Sequence, residues 1–176
     1  MMSYLGWVVF SFATATTAIA ADGEKKAFPL PDNSKLELTI PPGWKDELKE
    51  KTIALSPREG APFQVVVAPV ARQRSGAGAD TTIKMRHSVQ QAADKIKPSA
   101  VEEYLTVEQL AGAPGPGYYF SATDRDPKPG EFKQLTQGML LVGDVVVAFS
   151  ILTNDGQEQT KDEALAMLKS ASDLGR

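Results

Sequence analysis

The chain has 176 residues, a formal net charge of −3, 42% hydrophobic residues, one histidine and no cysteine. The missing cysteine excludes disulfides, thiolate nucleophiles and Cys-ligated metals together, and also a lipid attached at a new N-terminal cysteine. No Lys/Arg run exceeds the pair Lys25-Lys26, and Arg72-x-Arg74 is the next densest cluster, so the basic stripe with interleaved aromatics that nucleic acid requires is absent.

Residues 1–20 carry no charged side chain. The apolar stretch Leu5-Gly6-Trp7-Val8-Val9-Phe10 leads into a small-residue tail, Ala18-Ile19-Ala20, and charges follow at once at Asp22, Glu24, Lys25 and Lys26. That layout is a secretory signal with an A-x-A cleavage site. The working protein is therefore expected to start near Ala21 and to be exported, to a periplasm or alternatively to a thylakoid lumen or the extracellular space. An uncleaved anchor is the competing reading. It is disfavoured because Gly6, Ser11, Thr14, Thr16 and Thr17 break the run short of the roughly 20 apolar residues a spanning helix takes. No later segment is long enough to span a bilayer. The remaining chain, about 156 residues, suffices for one domain with a sizeable core, expected over 35–176.

Residues 21–34, with Pro29, Pro31, Asp32 and Asn33, read as a flexible lead-in holding a short edge strand at 27–30. Residues 35–40 alternate, with Leu36, Leu38 and Ile40 on one face, as a half-buried strand does. Pro41-Pro42-Gly43-Trp44 ends it, since neither proline donates to a ladder. The mixed charges of 47–51 read as solvated surface. A short strand is expected at 52–55 and a central, β-branched one at 63–70, followed by a loop over 72–79. The period then changes: Met85, Val89, Ala92, Ala93 and Ile96 recur at helical spacing, giving a helix over 81–97 that Asp80 or Thr81 can cap and Pro98 stops. Strand character returns at 101–110, with Glu102-Glu103 as solvated surface. After the breaker 111–117, strands are expected at 118–123, 132–142 and 145–153, the last two joined by Gly143-Asp144, a two-residue hairpin link. A second helix is expected over 157–173, with Ala164, Met167, Leu168, Ala171 and Leu174 as its stripe and Gly175 as its C-cap.

Strands cluster instead of alternating with helices, which argues an antiparallel α+β sheet. The runs 139–142 and 145–152 are nearly continuous in apolar residues, as in strands covered on both faces. The expected fold is a three-layer α/β/α sandwich, a central antiparallel sheet of six or seven strands with one helix on each face. The order of elements, the turn Ile40-Pro41-Pro42-Gly43-Trp44, the pairs Ala111-Gly112 and Gly117-Tyr118 before the middle strand, and the Val-rich hairpin running into Ile151-Leu152-Thr153 together resemble the PsbP-like fold. That fold is shared by the photosystem extrinsic subunit PsbP, the yeast Mog nuclear-import factor and bacterial DcrB-like envelope proteins. The resemblance covers residues 27–174. It implies a non-enzymatic accessory or binding protein, and no functional residue carries over position by position. DcrB-like members are often lipoproteins, and this chain lacks the cysteine for a lipid.

The residues offer little chemistry. His87, the single histidine, sits off the helix stripe between Arg86 and Ser88 and reads as solvent-facing, which leaves no Ser-His-Asp relay and no ordinary zinc site. Asp124-Arg125-Asp126 places two carboxylates in a Pro-rich loop; a solvated loop is favoured over a calcium or manganese site, because six oxygens are hard to assemble around Arg125. Gly76-Ala77-Gly78 lies where a phosphate cradle would, but without a third glycine or a Gly-Lys-Ser/Thr ending it reads as a connector. Trp44 is a surface anchor for a partner or, more simply, a packed corner. Tyr118 and Phe120 share one strand face and Tyr119 takes the other. The candidate binding residues are Arg72, Arg74, Trp44, Asp124 and Asp126, with no catalytic residue, metal or cofactor expected. The expected function is an exported, non-catalytic accessory or interaction module of the cell envelope whose partner is another envelope protein. The alternative is a periplasmic small-ligand or metal-ion binder, and a hydrolase ranks last.

Overall fold

The computed structural model describes residues 23–30, 33–72 and 78–175; the signal segment expected over 1–20 lies outside the described residues. Ten strands and two helices follow in chain order: β1 (Glu24–Pro29), β2 (Lys35–Ile40), β3 (Trp44–Lys49), β4 (Thr52–Pro57), β5 (Gln64–Arg72), α1 (Ala79–Ile96), β6 (Glu108–Gln109), β7 (Gly117–Thr123), β8 (Gln134–Val142), β9 (Val145–Thr153), α2 (Glu158–Lys169) and β10 (Ser172–Asp173). Seven strands form an antiparallel sheet in the order β3-β4-β5-β9-β8-β7-β6. The chain is thus α+β, with the antiparallel sheet expected. Its centre is the β8–β9 hairpin, closed by Gly143-Asp144 with Gly143 at φ 56°, a conformation glycine adopts without steric cost.

The layering differs from the expectation in one respect. β2 does not enter the large sheet; it pairs with β1 and β10 in a separate three-stranded sheet. Pro41-Pro42-Gly43 breaks the ladder between β2 and β3, and Leu36, Leu38 and Ile40 join α2's Ala164, Met167 and Leu168 in the largest core cluster. That cluster also takes Ile53, Val65, Val67, Val147, Phe149 and Ile151, alternate residues of three neighbouring strands. α1 sends Val89 and Ala93 to a different cluster with Phe120 and Ala122 of β7, and Met85 to Leu141 and Val146.

Local differences have physical causes. β3 was not expected, because Lys45, Asp46, Glu47 and Lys49 hide a strand behind charge; an edge strand exposes such residues and is protected by them. Of the strand expected over 101–110, only Glu108–Gln109 pairs. Glu102 is not simply solvated: its carboxylate accepts the Thr123 backbone N–H at 2.9 and 3.1 Å, occupying a donor that a partner strand would otherwise take. Burial raises the Glu102 pKa, but those bonds outweigh it and hold the carboxyl below its ordinary value. α2 stops at Lys169, four residues short of the expected end. Ser170 N–H closes it on Ala166 O and Met167 O, and Ser172 and Asp173 turn extended to pair with Glu37 and Leu36. Leu174 is half exposed and not part of a helical stripe, and α1 begins after Gly78 with no side-chain cap from Asp80 or Thr81.

Candidate functional site

The residues singled out in the sequence do not converge. Trp44 is 6% exposed and packs edge-to-face on Phe63, ring centroids 5.4 Å apart; it is the packed corner and not a surface anchor. Arg72 does not present itself to a ligand. Its guanidinium forks onto Asp173, Nη1 donating to Oδ2 at 2.8 Å and Nη2 to Oδ1 at 3.1 Å, and Nη2 also donates to Ser34 Oγ at 2.6 Å. The residue that read as loop chemistry therefore ties β5 to the small sheet. Arg74 and most of the Gly76-Ala77-Gly78 segment lie outside the described residues. His87 is exposed on α1, in hydrogen-bond contact with Gln91.

Asp124 and Asp126 do not form an oxygen cage either. Asp124 Oδ1 accepts the Asp126 N–H at 3.0 Å, and Arg125 turns away to donate from Nη2 to Ala100 O at 2.7 Å. Among the described residues no group of three or more His, Cys, Asp or Glu could hold a metal ion. Calcium titration is accordingly expected to leave the melting temperature of wild type and of the Asp124→Ala/Asp126→Ala variant unshifted relative to calcium-free buffer. A calcium-dependent rise in wild type alone would overturn this, because a bound ligand stabilises by mass action.

What the fold does assemble is a half-covered sheet. Residues paired across antiparallel strands share a face, so the register places Ala54, Val66 and Ser150 together, with Ala68 beside Ala148. The opposite face of the same strands holds Ile53, Leu55, Val65, Val67, Phe149 and Ile151, all at 2% exposure or less. The first set is only half-buried. The cause is where α1 lies: it packs on β7 and β8, and Ser88, Val89 and Ala92 border a gap of about 160 Å³ over Met139 and Ala148. Beyond that gap this face of β9, β5, β4 and β3 carries no helix among the described residues, and a cleft of about 520 Å³ opens over Ala54, Ser56 and Gln64, rimmed by Lys45, Glu47, Lys49 and Phe132.

Sequence reasoning missed these floor residues, although a signal was present. In β4 and β9 large apolar residues alternate with small or polar ones, Ile53 and Leu55 against Thr52, Ala54 and Ser56, and Phe149 and Ile151 against Ala148 and Ser150; β5 breaks the pattern at Val66, between Gln64 and Ala68. This face is uncharged and carries several small side chains, where the opposite face is filled by large apolar ones.

The described residues include no helix long and apolar enough to cross a membrane. No protein-family model and no characterised protein matches the sequence. Among solved structures the chain is similar to a crystal structure from Bacteroides thetaiotaomicron VPI-5482, with a TM-score of 0.54 at 11% identity. The match covers 86% of this chain and 48% of that one, so the chain spans about half the length of the structure it matches. At that identity the likeness speaks to fold alone.

Proposed function

We propose that the chain is an exported, non-catalytic accessory module of the cell envelope that docks another envelope protein on the uncovered half of its sheet. The observation that carries this reading is the contrast between the two faces of β4, β5 and β9, one closed to 2% exposure or less and the other half-open. A half-covered, uncharged sheet face is suited to docking a partner. The uncharged segment 1–20 with its Ala18-Ile19-Ala20 tail supports export, and the PsbP-like order of elements supports an accessory role. On this reading the architecture is three-layered, with α1 over part of one face and α2 with the small sheet over the other.

A photo-reactive benzophenone side chain tests it. Installed at Ser56 or Gln64 on the floor, it is expected to yield one discrete adduct with an envelope protein in the protein's own envelope fraction. Installed at His87, on the outward side of α1, it should yield none. Equal labelling from His87, or no floor adduct, would refute the docking face. In that event the small-ligand alternative is the next to test, by thermal-shift screening.

A further inference from the structure

Resting on the docking reading above, we infer that the element which fills the open face is an amphipathic helix with acidic flanks, contributed by the partner and laid beside α1. The argument begins with dimensions. Seven strands at a spacing of ~4.8 Å span ~29 Å, and a helix with its side chains is ~10–12 Å across. α1 sits over β7 and β8, so the width over β9, β5 and β4 accepts another helix. Sheet faces are covered by helices or by other sheets, and α1 already provides a wall for a helix to lie against.

The floor sets the occupant's apolar side. Ala54, Ser56, Ala68, Ala148 and Ser150 are small and stand beside Val66 and Leu152, so the bed has low stretches that large side chains such as leucine fill. No position of β4, β5, β8 or β9 on this face carries a charge. Charge is confined to the rims, where Asp46 is already held by Lys26 at 2.6 Å. On β3, Lys45, Glu47 and Lys49 point to this face, and Glu47 is already held by Lys49 at 3.0 Å. On α1, Lys95 lies on the stripe that begins at Ser88 and Ala92, at i+7 and i+3 spacing. Lys84, on the same side, is paired with Asp80. Lys45 and Lys95 enter none of the ion pairs among the described residues. Each rim of the uncharged bed thus carries one unpaired lysine, in a chain whose net charge is −3. Complementarity asks for glutamates or aspartates along both flanks of the occupant.

The test uses two synthetic 18-residue helices, one with a leucine stripe flanked by glutamates and its twin with lysines in their place. Amide chemical shifts of the full chain report where each binds. The acidic helix is expected to perturb β4, β5, β9 and the Ser88–Lys95 side of α1. It should bind about tenfold more tightly than its twin, a difference that shrinks with added salt. Lys45→Glu/Lys95→Glu should invert the preference, while the twin comparison on unaltered protein stands even if that variant fails to fold. Equal binding of both helices, perturbation confined to other surfaces, or a concentration-dependent dimer that buries this face would each overturn the inference. If floor cross-links form in the envelope while the acidic helix does not bind, the helix inference fails and the docking reading survives. If neither occurs, both fail.

Discussion

Replacing Phe149 with alanine is expected to cost about 3–5 kcal/mol, the cost of removing a fully buried aromatic side chain, and to lower the melting temperature by about 10 °C or more. Phe149 is 2% exposed at the centre of the large sheet, in the cluster that also holds Val67, Leu140, Met167 and Leu168. It fits there because its cross-strand partner is Gly138. A methyl group at Gly138 would stand 2.6 Å from Phe149 Cζ and 2.7 Å from Tyr119 Cβ, and it would strike the backbone oxygen of Tyr118 on β7. Gly138→Ala is therefore expected to cost about 1–3 kcal/mol or more by overpacking. The double variant makes the test sharper. Removing the Phe149 ring frees the clash with that ring but not those with Tyr119 Cβ and the Tyr118 carbonyl, so Phe149→Ala should rescue Gly138→Ala only in part. Urea denaturation of the four proteins gives the coupling energy, and full rescue would contradict the close approach of β7 and β8.

The second large effect is expected at Asp173. Its carboxylate receives both arms of Arg72, the Gly175 N–H at 3.0 Å and the Asp144 backbone N–H, so one group joins β5, the β8–β9 turn and β10. The Arg72 hydrogen bonds are the largest influence; they outweigh burial and hold the carboxyl below its ordinary 3.8. Asp173→Asn is expected to cost about 1.5–3 kcal/mol at neutral pH, the range for hydrogen bonds to a charged group. The sign with pH follows from the lowered pKa. The contribution is complete above the unfolded value and is lost as pH falls through the folded value, because the unfolded chain then binds the proton more readily. The gap in stability between wild type and Asp173→Asn should therefore be flat from neutral pH down to about pH 5 and close below about pH 4. A gap that widens on acidification would be inconsistent with this assignment. Arg72→Met should produce a similar loss, and the two should not add, since they remove the same contact.

Much of the fold was legible because it rests on local period. The alternation in 35–40, the β-branched run through Val65 and Val67, and the Gly143-Asp144 link between two apolar runs gave β2, β5 and the β8–β9 hairpin. The 3.6-residue recurrence of Met85, Val89 and Ala93 gave α1, and the partition of Tyr118 and Phe120 from Tyr119 followed from the pleat. β3 and β10 were not legible. An edge strand shows charge where a pattern reader looks for alternating apolar residues. A two-residue strand such as Ser172–Asp173 has no period at all and is placed by its pairing with Leu36 and Glu37 and by Arg72, far away in the chain. The candidate site fared worse, since the residues with evident chemistry, Trp44, Arg72, Asp124 and Asp126, are engaged in packing, ion pairing or turn hydrogen bonds.

The sequence by itself determined that disulfides and thiolate chemistry are excluded, where the two helices and the central strands form, and which residues of those strands share a face. Those properties follow from residue type and spacing along one segment. Only the tertiary structure decided which faces are closed. Whether Ala54, Val66 and Ser150 lie under a helix depends on where α1 settles relative to strands distant in sequence, and it settles on β7 and β8, where Val89 and Ala93 are buried with Phe120 and Ala122. The same is true of Arg72, whose role passed from candidate ligand contact to internal clamp once Asp173 was brought to it from 101 residues away.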